Sequence, residues 1–106
     1  DFENDKVHIM LTDFGFAYQS NNSKLTKPGT SHFKAPEVIR AETYDNKVDV
    51  WSAGCIAYYL VAGCAYPFGA NEESNEDIER CVLNDEPDIY SLDCSPLMKK
   101  FIQDCL

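Results

Sequence analysis

Residues 50–62 contain no charged side chain, and their apolar residues point in every direction around a 3.6-residue turn. A helix with that pattern is buried on all sides or crosses a membrane, and crossing takes roughly 18–20 apolar residues in a row. This run is shorter and carries Ser52, Tyr58 and Tyr59. It therefore reads as the central core helix of an α-rich lobe, about sixteen residues and roughly 24 Å long. Asp45 or Asn46 is the candidate N-cap, and Gly63 stands where a C′ glycine ends a helix. Asp49 is the odd residue, because a carboxylate one turn into a buried helix needs full hydrogen bonding. Either it lies half exposed and favours the helix dipole, or it is a buried strut holding backbone amides of another segment.

The residues around Asp49 carry a resemblance. Asp49-Val50-Trp51-Ser52-Ala53-Gly54 resembles the D-V-W-S-x-G motif of eukaryotic protein kinases. Asp13-Phe14-Gly15 resembles the family's D-F-G, and Ala35-Pro36-Glu37 its A-P-E. Gly29, Thr30 and Phe33 match the G-T-x-x-Y run before A-P-E, and Gly63 with Pro67-Phe68 matches the G-x-x-P-F after the central helix. A single D-F-G is weak, but five landmarks in order over residues 13–68 are specific. The resemblance implies an α+β, protein kinase-like fold, of which residues 1–106 form a piece of the mostly helical C-terminal lobe. That piece is expected to run from just before D-F-G to the helix after the G-helix. The N-lobe, catalytic loop and final helices are expected to lie outside it.

Composition narrows the alternatives. A chain of 106 residues is one domain at most, burying roughly 60–70 % of its unfolded surface. Five cysteines without a C-x-x-C or Cys/His cluster argue against a disulfide scaffold or zinc site. They point to a reducing, intracellular and cytoplasmic setting. The net charge is −9, and residues 72–93 hold nine acids against one base, Arg80. Nucleic acid and anionic membrane are poor partners for that surface. The acidic stretch reads first as a solvated helix face with its loop, and second as a docking surface for basic partners.

In chain order, residues 7–11 form an apolar run of strand length leading to Asp13. By resemblance Asp13 is a Mg²⁺ ligand, and Asp13, Phe14 and Gly15 adjoin the nucleotide; alone, the triplet would read as a surface turn. Gly15 gives backbone freedom to a loop that moves. The stretch from Asp13 to Glu37 is too long for an ordinary connection and matches the family's activation segment. Its hydroxyls include Ser20, Ser23, Thr26, Thr30 and Ser31. Thr30 matches the threonine that positions the substrate in Ser/Thr kinases, and Thr26 falls where many carry the activating phosphate. Phe33 stands in place of the usual tyrosine, and the proline-rich pattern of tyrosine kinases is missing, which favours Ser/Thr specificity. Phe16 after D-F-G fits a family tendency toward serine acceptors. Glu37, Asp49, Trp51 and Gly54 take structural roles, Glu37 lacking here the arginine it pairs with in the family.

Pro36 suits the first turn of a short helix to about Ala41. Residues 73–84 read as a helix with Ile78, Cys81 and Val82 on one face. Ser95 and Pro96 read as N-cap and N1 of a last helix whose stripe of Met98, Phe101, Ile102, Cys105 and Leu106 is core.

The resemblance implies a protein serine/threonine kinase, a transferase using ATP and Mg²⁺ on protein substrates, with no membrane span. Phosphoryl transfer needs a nucleotide cradle, a lysine on the phosphates, a base and two metal-holding groups. Only Asp13 of that set is present, so no catalytic residue is assigned and the 106 residues alone are expected to be inactive and loosely packed. The runner-up is a non-catalytic kinase-like scaffold, and a stand-alone helical interaction module is third.

Overall fold

The computed structural model describes residues 7–12 and 31–106. Four α-helices follow a short 3₁₀ turn at Ser31–Phe33: α1 (Pro36–Ile39), α2 (Lys47–Val61), α3 (Asn75–Asn84) and α4 (Pro96–Cys105). This is the helical order expected of a kinase C-terminal-lobe piece. Residues 7–12 are exposed and are not a strand. A strand exists only through its ladder, and no neighbouring strand is present among the described residues to complete one.

Helix α2 is the centre, as its composition demands, but it is not buried all round. Gly54, Cys55 and Tyr58 are buried, while Val50, Ile56 and Leu60 are exposed, Leu60 at 70 %. One stripe of an all-apolar helix is covered, and the opposite stripe has no cover among the described residues. Asn46 is the N-cap residue but makes no side-chain cap bond. Asp45 takes the work instead, its Oδ1 accepting from the Lys47 N–H at 2.9 Å. At the other end Gly63, with φ +69°, is the C′ residue, and the Cys64 N–H reaches the Tyr59 carbonyl at 2.9 Å.

Helix α1 is short because it is stopped by the same device. The Ala41 N–H bonds the Val38 carbonyl and the Glu42 N–H bonds the Glu37 carbonyl, with Ala41 at φ +57°. Both bonds of a Schellman ending are made, with alanine where glycine is usual. α3 begins later than residue 73: Ser74 is its N-cap, Oγ accepting from the Asp77 N–H. Ser74 Oγ in turn donates to Asp77 Oδ2 at 2.8 Å, so serine and acid three residues apart serve each other. α4 starts as its sequence dictates, with Ser95 Oγ accepting from the Met98 N–H and Pro96 at N1. Its stripe is only partly core: Ile102 is buried, whereas Met98 and Phe101 are exposed.

Two clusters fasten these helices to α2. Ile39, Cys55, Phe68 and Val82 form one, joining α1, α2, the loop after α2 and α3. Tyr58, Leu92 and Ile102 form the other, joining α2, the loop before α4 and α4. Where α4 crosses α2, a Cβ on Gly54 would lie 2.5 Å from Cys105 Cβ and 3.1 Å from Leu106 Cδ2. The glycine is what allows that crossing.

Candidate functional site

Asp13, Phe14, Gly15, Thr26 and Thr30 lie outside the described residues. The site begins, structurally, at the turn that follows Thr30 in the chain. Ser31 is buried, and its Oγ donates to Glu79 Oε1 on α3 at 3.3 Å. The other end of the turn is held by α2: Ser52 Oγ donates to the Phe33 carbonyl at 2.7 Å, the Val48 carbonyl lying further off at 3.1 Å. A serine hydroxyl inside a helix ordinarily bonds back to its own i−4 carbonyl. Here the shorter contact goes across to the turn, so Ser52 of the D-V-W-S-x-G run is a tertiary tie.

Aromatic rings cover the same turn. His32 stacks on Tyr66 with ring centroids 3.7 Å apart and planes 14° from parallel. Phe33 meets Tyr66 edge-on at 5.7 Å and Tyr59 at 6.4 Å, and Tyr59 and Tyr66 lie 5.0 Å apart. Offset and edge-to-face pairs of this kind contribute about 0.5–1.5 kcal/mol each beyond area burial. The sequence reading identified Phe33 through the family pattern but missed Tyr59, Tyr66 and Glu79. No local spacing brings residues 59, 66 and 79 onto a turn at 31–33.

The structural residues divide. Trp51 stacks on Phe68 at 5.6 Å with planes 10° apart, and its Nε1–H is buried without an acceptor among the described residues. Both rings line a cavity of about 450 Å³ that continues to Ile89, Tyr90 and Leu106. Glu37 is half-buried in the first turn of α1, where a carboxylate favours the helix dipole, and no ion pair of it is seen among the described residues. Asp49 is exposed in the first turn of α2, and the segment whose amides the strut reading requires is not among the described residues. The simpler of its two readings, a solvated acid at a positive helix end, describes it in this chain. Gly54 is structural in the plain steric sense given above.

No group of three His, Cys, Asp or Glu residues able to hold a metal occurs among the described residues. The five cysteines are free. Burial pushes the Cys55 thiol up to about 12 from its ordinary 9.0, with neighbouring Cys105 adding to the shift, so Cys55 stays protonated and packs as a small apolar group. The acidic stretch is mostly exposed, with Arg80 paired to Asp77 at 2.9 Å. No helix of the described residues is long and apolar enough to cross a membrane.

The profile of the family described as protein kinase domain matches residues 2–106. The chain belongs to the protein kinase family. It is 36 % identical over 103 residues to serine/threonine-protein kinase STE20 of Eremothecium gossypii, an alignment covering 93 % of this chain and 10 % of the relative. It is 34 % identical over 103 residues to serine/threonine-protein kinase CLA4 of Candida albicans, with the same two coverages. Against cAMP-dependent protein kinase type 3 of Saccharomyces cerevisiae it is 38 % identical over 98 residues, 90 % of this chain and 24 % of the relative. The chain thus spans about a tenth of the length of the first two and a quarter of the third.

Proposed function

We propose that this chain is part of a serine/threonine protein kinase that transfers the γ-phosphoryl group of ATP to protein hydroxyls. The observation that carries the reading is Asp13 standing intact in D-F-G, in a chain that matches the family over nearly its whole length. The relatives named above are all protein kinases by name, two of them serine/threonine-protein kinases, and the turn after Thr30 is braced by both α2 and α3.

In this reading Asp13 supplies a carboxylate oxygen to Mg²⁺, the hard donor that this hard cation prefers. Mg²⁺ neutralises charge on the nucleotide phosphates when bound, and Phe14 and Gly15 adjoin that place. One carboxylate is not a complete metal site, so the remaining donors, the phosphate-binding lysine and the base come from the rest of the protein. Thr30 orients the acceptor side, and Asp49 and Glu37 serve the complete domain structurally. We place the regulatory phosphate on Thr26, where added charge pairs with arginines and orders the segment; phosphopeptide mapping that finds only Ser20, Ser23 or Ser31 modified would remove that assignment. The protein is placed inside the cell, in the cytoplasm, where ATP and thiol-keeping conditions coincide.

The test is Asp13→Asn in the full-length protein. The amide keeps the shape and an acceptor oxygen but loses the charge that holds Mg²⁺, so phosphoryl transfer should be lost while the melting temperature stays unchanged. Wild-type turnover in the variant would remove Asp13 from the metal site. A wild-type protein without any transfer would favour the scaffold reading instead.

A further inference from the structure

We infer that Glu79, on α3, is a positioning residue for protein-substrate recognition, acting through Ser31 on the turn that adjoins Thr30. The inference rests on the kinase reading above. Ser31 is 4 % exposed, and a hydroxyl so buried costs free energy unless it is bonded. Its partner is Glu79 Oε1, which lies 48 residues further along the chain, so the bond is a tertiary tie between α3 and the turn.

The two ends of the turn are held differently. The Phe33 end has Ser52 on its carbonyl and two tyrosine rings against its side chain. The Ser31 end, covalently joined to Thr30, has its side-chain hydrogen bond to Glu79. Loss of Glu79 therefore leaves the Phe33 end in place and loosens the end next to Thr30. Glu79 also differs from its acidic neighbours on α3. Asp77 is occupied with the Ser74 cap and with Arg80, and Glu76 is exposed in the first turn. Glu79 is half-buried against the turn, and the turn and α3 are in direct contact.

The bond needs an acceptor oxygen rather than a charge, because the Ser31 hydroxyl donates. Glu79→Gln keeps an acceptor at that place and should behave as wild type. Glu79→Ala removes it and should raise the KM for a protein or peptide substrate by about three- to tenfold, the range of one net hydrogen bond. The KM for ATP should move less than twofold. Ser31→Ala should give the same shift without touching α3, and the double variant should be no worse than either single one, since both remove the same bond. Hydrogen exchange should show faster amide exchange at Ser31–Phe33 in Glu79→Ala. All measurements use the full-length protein. An unchanged peptide KM in a folded, active Glu79→Ala protein overturns the inference alone, as does additivity of the two substitutions. If Glu79→Ala fails to fold, Ser31→Ala decides by the same KM criterion. A wild-type protein that transfers no phosphate overturns the kinase reading, and the inference with it.

Discussion

The two clusters on α2 are built a single turn apart, around Cys55 and around Tyr58, yet they hold together different kinds of structure. The Cys55 cluster draws on residues from Ile39 to Val82, with Phe33, Trp51 and Leu83 against its edge. It therefore carries α1 and the Ser31–Phe33 turn, the parts that the family resemblance connects with substrate. The Tyr58 cluster joins only Leu92 and Ile102, and what it holds is α4. The side next to Thr30 is finished by side-chain ties and stacked rings, the other by an apolar stripe and one polar tie, the Tyr58 hydroxyl donating to the Asp88 carbonyl at 3.2 Å. Leu106 touches both, and is the seam between them.

That division predicts different consequences for two core truncations. Phe68 is 3 % exposed and stacks on Trp51, so Phe68→Ala should cost about 3–5 kcal/mol and release the turn with it. Ile102 is fully buried on α4, so Ile102→Ala should cost about 2–5 kcal/mol and leave the turn held. Denaturant unfolding measures the two costs, and hydrogen exchange at Ser31–Phe33 separates them. If Ile102→Ala accelerates exchange at the turn as much as Phe68→Ala does, the clusters are one cooperative unit and the distinction fails.

The same asymmetry decided what the sequence could disclose. Ser95 and Pro96 announce α4 because a cap and an N1 proline act within three residues of each other. Gly63 announces the end of α2 for the same local reason. Ser74 was equally local and was overlooked: with Asp77 three residues on it has the spacing of a capping box, although the Asp77 carboxylate here takes the serine hydroxyl and not its backbone N–H. By contrast the partners of Ser31 and Phe33 lie tens of residues away, so no periodicity places them. The exposed face of α2 is a third case. Composition says that a helix is apolar on every side, but not which sides are covered by the residues at hand. Asp49 is exposed with it among the described residues.

Gly54 sharpens the comparison at the point where the seam is tightest. Its missing side chain is where Cys105 and Leu106 sit, and a methyl there would lie 2.5 Å from Cys105 Cβ. That contact is closer than real Cβ atoms approach, and both Cys105 Cβ and the α2 backbone are short of freedom to move. Gly54→Ala should therefore cost about 1–3 kcal/mol through overpacking, although alanine alone favours a helix over glycine. Thermal unfolding checks the sign. A stabilised Gly54→Ala protein would mean that α4 slides on α2 freely, and that the Tyr58 cluster does not fix its position.

The smallest effects lie at the helix starts, and there the two sides can be compared with the same substitution. Ser95 Oγ accepts from the Met98 N–H at 3.1 Å, and Ser74 Oγ accepts from the Asp77 N–H at the same distance. Each bond satisfies one of the orphan amides of a helix start, so serine to alanine should cost about 1 kcal/mol at either place. The two are not equivalent beyond that. Ser74 also donates to Asp77 Oδ2, and Asp77 is the partner of Arg80, so removing the hydroxyl disturbs a small network as well as a cap. It does so one turn before Glu79, the residue that reaches Ser31. Ser74→Ala should therefore cost slightly more than Ser95→Ala, and only Ser74→Ala should raise exchange at Ser31–Phe33. Paired denaturation curves and exchange on the two variants measure both differences. Equal exchange at the turn in the two proteins would show that fraying at the start of α3 does not reach Glu79, and that the tie to Ser31 is held by the body of the helix alone.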